Sequence, residues 1–366
     1  MKLVCNRAAL VNALSIAAKV VPARTAKPVL ACVHLSAGQD SLTVSATDLE
    51  VSVRLAVGQV QVSRAGVAVV HAGHLLDIAR SSIDESLSME LTGDMLEVGG
   101  EDALFKVYTQ PEDSFPALPA AGEDGGLEVE SGLLVSLVRQ TAFAVAREAS
   151  RYALNGVLVN ADGAVLTLVA TDGRRLALAR GELKGRGAKG KVRAIVPVAA
   201  LSLLAEVVGG REDPVTMVVT ENQLSCRAGD ALLTTNLIEG QFAPYEDVIP
   251  KASDKRLSAA RQALLSAVER ASLLRNEETK GLRMRFGSEG LVCSSDAPGA
   301  GQATVRLRCQ YEGPEIEVGF NPVYLLEALR VAPADQVTFE ITTPNRPGLL
   351  RAGESFLYVL MPVSLD

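Results

Sequence analysis

Apolar and polar positions alternate in short runs along most of this chain, and only a few stretches switch to helical spacing. The first such stretch follows Asn6, a residue suited to cap a helix, and puts Leu10, Leu14, Ala17 and Val21 on one face. Strands are predicted over residues 29–35, 41–46, 50–57 and 67–70. A short helix over 74–80 follows, then a meander through 87–91, 95–98 and 104–108. Residues 110–126, rich in Pro, Gly and acids, read as a linker. The order then repeats. Leu134, Leu137, Val138, Thr141 and Val145 mark a helix face, and two strands hinge at Ala161, Asp162 and Gly163. A strand over 192–196 leads into a helix over 199–208, and strands over 215–219, 224–227 and 232–237 precede a second linker, 239–254. In the last third a helix is predicted over 257–274 and a short one over 322–330, with a final strand over 355–361.

A punctuation mark recurs with this order. Thr47-Asp48, Thr171-Asp172-Gly173 and Ser295-Asp296 each close an alternating strand, with 172 − 48 = 124 and 296 − 172 = 124. That period is too long for a solenoid unit and suits a domain with its own core, so the 366 residues divide into domains over 1–120, 127–245 and 253–366. Helix, strands, short helix and strands in each copy make an α+β chain.

Composition narrows the function. No Trp is present and aromatics are 4%, so the cores rest on Ala, Val and Leu. The longest apolar run, 194–205, contains Pro197 and is shorter than the ~20 residues a membrane helix needs. No membrane partner and a cytoplasmic location are expected. The net charge is −7, yet residues 1–39 contain no acid while Lys2, Arg7, Lys19, Arg24 and Lys27 are basic. The second helix offers Arg139, Arg147 and Arg151 against Glu148, and the third Arg256, Arg261, Arg270 and Arg275 against Glu269. An acidic protein with cations gathered on equivalent helices can meet a polyanion on one face only. These helices lack interleaved aromatics, which points to duplex backbone contact rather than stacking of single-stranded bases.

Candidate catalytic chemistry is sparse. Gly185 to Lys191 resembles a phosphate-binding loop, but Val192 stands where a Ser or Thr must hold magnesium, and a strand follows instead of a helix. The five cysteines contain no CxxC and read as reduced core residues. His71 and His74 lack a third metal ligand. No cofactor, metal or catalytic residue is expected, and no enzymatic activity.

Several motifs taken together carry a resemblance: Thr47-Asp48-Leu49-Glu50, Arg151-Tyr152-Ala153-Leu154-Asn155-Gly156, Val169 to Leu176, Gly319-Phe320-Asn321 with Tyr324, and Met361-Pro362. Over its whole length the chain resembles the beta subunit of bacterial DNA polymerase III, the sliding clamp family. The resemblance implies three clamp domains with helices inside and antiparallel sheets outside, closing as a head-to-tail homodimeric ring with pseudo-sixfold symmetry. Such a ring encircles duplex DNA without sequence preference and acts as a processivity factor. Twelve helices spaced about 8 to 10 Å apart would enclose a channel of roughly 20 to 28 Å, wide enough for a duplex.

The resemblance also implies residue roles. Arg24, Arg151 and Tyr152 match positions that touch DNA, joined by Arg139 and Arg147 from the charge pattern. A cleft between the second and third domains would take short linear peptides from the polymerase III alpha subunit, the clamp loader and other replication and repair proteins. Its members here are Leu154, Thr171, Gly173, Arg174, Arg175, Leu176, Ala243, Val248, Asn321, Tyr324, Val359, Met361 and Pro362. Arg174 stands where His is frequent and Ala243 where Pro is common. The dimer contact would pair the strand around Phe105 with Leu273 and Leu274 of the other subunit, held by apolar contact more than by charge. The alternative is a repeat-built peptide-binding scaffold without a DNA role.

Overall fold

Six helices and three antiparallel sheets make up the computed structural model, which describes residues 1–120, 122, 126–146, 154–188, 190–274 and 281–365. The helices are α1 (Arg7–Val20), α2 (Ala72–Ser81), α3 (Ser131–Thr141), α4 (Val198–Val208), α5 (Arg261–Ala271) and α6 (Pro322–Val331). Asn6 caps α1 as its sequence suggests, its side chain accepting a hydrogen bond from the Ala9 N–H at 3.0 Å. Leu10, Leu14 and Ala17 on the inner face are wholly buried. Each leucine contributes on the order of 2 kcal/mol by leaving water.

Three predicted boundaries move, and each has a physical cause. Residues 257–260 are not helical: Lys255–Ala260 is a strand paired with Gln336–Ile341, and α5 begins only at Arg261. Leu257 and Ala259 alternate with exposed or half-buried neighbours there, a period of two that the adjoining helical pattern masks. Short strands of the same kind, Lys2–Asn6 and Leu127–Val129, precede α1 and α3. The helix expected to continue to Val145 stops at Thr141, whose hydroxyl donates to the Leu137 carbonyl at 2.8 Å before a 3-10 turn, Ala142–Ala144. Residues 29–31, predicted as the start of a strand, instead belong to a 3-10 turn, Pro28–Ala31, opened by Pro28.

The chain gathers into two compact units, Met1–Gly132 with Ala199–Leu237, and Leu133–Val198 with Ile238–Asp366. The middle repeat is thus shared between them. In the first unit Ala231–Asn236 of the second repeat pairs with Val51–Val57 of the first, joining thirteen strands into one sheet. In the second unit Arg175–Glu182 pairs with Phe356–Leu360 of the third repeat inside a nine-stranded sheet. Both seams use the strand that follows the Thr-Asp corner of one repeat and the last strand of the next.

The first two corners are built alike. Thr171 Oγ1 donates to the Arg175 carbonyl at 2.6 Å and accepts from the Gly173 N–H at 3.1 Å, while Asp172 Oδ1 accepts from the Arg174 and Arg175 N–H groups at 2.9 and 3.0 Å. Thr47 and Asp48 repeat these bonds to Val51, Leu49 and Glu50. The apex residues, Gly173 and Leu49, share a φ of 82°. The third corner differs. Its strand runs on through Ala297, Asp296 accepts from the Gln302 side chain, and Ser295 Oγ donates to the Ala271 carbonyl at the end of α5.

A Cβ at Gly173 would meet nothing within 4 Å, so a side chain there is opposed only by the left-handed backbone. Gly173→Ala is expected to cost about 1 kcal/mol. Urea unfolding should register it as a lowered midpoint with an unchanged slope.

Candidate functional site

The corner at Thr171 opens directly onto an apolar cluster. Leu154, Leu158, Val169, Leu176, Ile195, Phe242, Tyr245, Leu349 and Val359 pack together, with Ala243 and Ile249 half-buried against them. Strand register explains the floor, since Leu176 lies opposite Val359 and Arg175 opposite Leu360. Gly156 closes one side, because a Cβ there would come within 2.6 Å of the Ile238 side chain and 2.8 Å of the Val196 carbonyl oxygen. Val248 and Met361 stand out at 48% and 41% exposure, which separates them from the buried floor and makes them rim.

Four of the expected cleft residues, Leu154, Leu176, Val359 and Ala243, therefore share this cluster. Asn321 caps α6, its side chain accepting from the Val323 N–H at 3.0 Å, which leaves its own amide N–H groups unused by the cap. Chain direction at Met361 is set by its N–H donating to the Arg174 carbonyl at 2.9 Å, and two residues on Val363 N–H donates to the Gly319 carbonyl at 2.9 Å. Pro362 lies half-buried between them.

Arg175 holds the parts together. It is 8% exposed, and its Nε donates to Asp172 Oδ2 at 3.0 Å, its Nη2 to the Phe143 carbonyl at 2.6 Å, and its Nη1 to Glu327. The guanidinium lies 4.2 Å from the Tyr324 ring centre and 5.3 Å from that of Phe143. Burial opposes its charge, but the hydrogen bond to Glu327 and the nearby carboxylates outweigh this and hold its pKa above the ordinary arginine value. Tyr358 beneath it is buried and its phenol pushed strongly upward by that burial, while its hydroxyl donates to the Tyr324 carbonyl at 2.9 Å. Glu327 and Phe143 belong to this arrangement although nothing in the sequence singles them out. A lone acid three residues after Tyr324 on a short apolar helix was the available signal for Glu327.

The equivalent corner of the first repeat lacks this network. Positions 124 earlier than Arg175 and Glu327 are Val51 and Leu203, and they line a small recess of about 220 Å³ with Val20 and Ala199, where Lys19 pairs with Glu206.

Of the expected DNA contacts, Arg24 is exposed in the loop after α1, beside a recess of about 760 Å³ shared with His71 and Gly73, and Arg139 is exposed on α3. Arg147, Arg151 and Tyr152 lie outside the described residues, as does Arg275. The cationic bias of the helices is smaller than the sequence suggests. Lys2 pairs with Glu90 at 2.8 Å, Arg7 donates to the Asp84 carbonyl, and Arg256 sits on a strand and pairs with Glu340 at 3.0 Å. His71 and His74 stack 4.2 Å apart, with His71 capping α2. No group of three metal-type side chains occurs among the described residues. The phosphate-loop lookalike before Val192–Pro197 is a loop tied back to the Gly163 turn, Ala188 N–H donating to the Gly163 carbonyl at 3.0 Å.

Two of the strand edges without partners among the described residues belong to strands that correspond to those of the internal seams. Leu104–Tyr108 pairs on one side only, with Met95–Gly99, and exposes Leu104, Phe105 and Tyr108 at 60%, 37% and 69%. Gly301–Leu307, the strand after the third corner, ends a four-stranded sheet. Leu274 sits alongside Gly301, and Leu273 is 79% exposed.

The fold thus defines a repeat-built α+β protein with a buried apolar cluster beside the Thr171 corner, flanked by the exposed Val248 and Met361. Three family descriptions tile the chain in order: DNA polymerase III beta subunit, N-terminal domain over residues 1–119, central domain over 128–244 and C-terminal domain over 246–364. Beta sliding clamps of Vibrio cholerae and Pseudomonas putida are 31% and 32% identical to it, with both chains covered in full. The crystal structure of the DNA polymerase III subunit beta from Pseudomonas aeruginosa matches all of both chains at 30% identity and a TM-score of 0.92, and the Bacillus subtilis sliding clamp does so at 25% and 0.95. The chain belongs to the DNA polymerase III beta subunit family, whose members are processivity factors of DNA replication.

Removing Arg175 would strand the carboxylates of Asp172 and Glu327, of which Asp172 is mostly buried. Arg175→Met is expected to destabilise the chain by about 3 kcal/mol. Glu327→Gln, which leaves the guanidinium bonded to Asp172 and Phe143, should cost clearly less in the same denaturation experiment.

Proposed function

We propose that two copies of this chain join head to tail as a ring around duplex DNA, slide on it, and tether the replicative polymerase and other partners by short peptides. The observation that carries this reading is the order of the seams. Each corner strand of the first two repeats pairs with the last strand of the next repeat. The third corner strand, Gly301–Leu307, has a free edge, and so does Leu104–Tyr108 within the last strand of the first repeat. Pairing them between copies satisfies both edges and repeats the internal seam. The repeats over 1–120, 127–245 and 253–366 are the units of this reading.

At that junction Leu104, Phe105 and Tyr108 would meet Leu273 and Leu274, while Lys106 is already paired with Glu97 at 2.7 Å. Apolar contact would dominate, and topology rather than affinity would keep the protein on DNA. Weak phosphate contacts from Arg24, Arg139, Arg147 and Arg151, with Tyr152, suffice for such a link. The cleft members, from Leu154 to Pro362, supply a buried apolar floor for the anchors of peptides from the polymerase alpha subunit, the clamp loader and repair proteins. A non-catalytic role without cofactors and a cytoplasmic location fit this reading; no helix among the described residues is long and apolar enough to cross a membrane.

Loading the protein on nicked circular duplex with a compatible clamp loader and ATP, then raising the salt and linearising half the sample, tests the ring. Retention on circles with loss from linear DNA is expected; equal loss from both, with an active loader, would favour a peptide-binding scaffold. Sedimentation should find a dimer constant that changes little between low and high salt. Arg24→Glu should lower the salt slope of DNA binding by about 1.

A further inference from the structure

Two adjacent arginines at the cleft have opposite fates. Arg175 is 8% exposed, and each of its side-chain nitrogens donates within the chain. Arg174 is exposed, and among the described residues no carboxylate lies within ion-pair distance of it. Its backbone is pinned on both sides: the N–H donates to Asp172 Oδ1 at 2.9 Å, and the carbonyl accepts from Met361 N–H at 2.9 Å. The nearest acid, Asp172, spends one oxygen on two backbone N–H groups and the other on Arg175. An uncompensated cation on a pinned backbone thus stands beside Met361, next to the apolar cluster.

The segment bearing Val248 has the opposite sign. Glu246 and Asp247 are exposed in the 3-10 turn Tyr245–Val248, and Tyr245 anchors that turn in the cluster. Resting on the cleft reading above, we infer that Arg174 determines specificity by selecting peptides that carry an acidic residue on the flank passing Met361. An acid on the flank passing Glu246 and Asp247 is repelled. The floor supplies affinity through apolar anchors, and the rim charges sort peptides that share those anchors.

The test uses the full-length protein and fluorescein-labelled synthetic peptides with one Leu-Phe anchor pair, bearing Glu or Gln on either the N-terminal or the C-terminal flank. Anisotropy at about 50 mM NaCl should give a roughly threefold preference for Glu over Gln at one flank only, shrinking toward parity near 0.5 M as screening shortens. Arg174→Gln should abolish that preference, and Arg174→Lys should restore part of it. Met361→Ala should weaken all four peptides together. A Glu preference that persists in Arg174→Gln, or that is equal at both flanks, overturns the role of Arg174. If Met361→Ala binds every peptide as the unaltered protein does, the cleft reading itself fails and this inference falls with it.

Discussion

A single buried guanidinium sets the geometry of the elements around the apolar cluster. Arg175 joins the Thr171-Asp172-Gly173 corner, the turn at Phe143 and the helix α6 through three charge-assisted or carbonyl bonds and two aromatic faces. Burying a charge this way is tolerated only when it is paired and hydrogen-bonded, as it is here by Asp172, Glu327 and the Phe143 carbonyl. The same condition makes the arrangement specific, since a shift of α6 against the corner strand would break the bond to Glu327 and slide Tyr324 off the guanidinium. Arg175 is thus a structural fixture of this part of the fold.

The 124-residue repeat explains both what is shared and what has diverged. The corner is common because its hydroxyl and carboxylate bond only to the local backbone, so Thr47-Asp48 and Thr171-Asp172 fold alike whatever surrounds them. The seams are common because each places a corner strand beside the next repeat's last strand. Divergence begins where the corner meets a helix: Arg175 and Glu327 at one seam correspond to Val51 and Leu203 at the other. One seam carries a charged network beside a buried apolar cluster, while the other has only a small recess at the matching place. The third corner has given up the cage, and its strand runs on into a hairpin with a free edge.

Charge tells a parallel story. Counting cations along the chain overstates the free positive charge, because Lys2, Lys19, Arg256 and Arg330 are paired with Glu90, Glu206, Glu340 and Glu269. Pairs at a surface contribute little to stability, but they remove charge from the field that a polyanion would feel. What survives unpaired among the described residues, such as Arg24, is a sparse set, which suits sliding better than tight binding.

The amino-acid order by itself determined the repeat, the α+β class, most strands, the cap at Asn6 and the corner motifs. These depend on local hydrogen bonds and on hydrophobic periodicity, both written along the chain. It also pointed to Leu154, Leu176, Val359 and Ala243 as one site through family resemblance. Tertiary structure decided the rest. The strand at Lys255–Ala260 exists because a partner strand lies beside it, and the middle repeat is divided between two units, its strands pairing with strands of both neighbours. Likewise Glu327 and Phe143 join the cleft wall only because Arg175, 152 and 32 residues away along the chain, needs their oxygens once it is buried. Partners at such separations leave no trace in periodicity, since what selects them is the cost of an unpaired charge inside the folded protein.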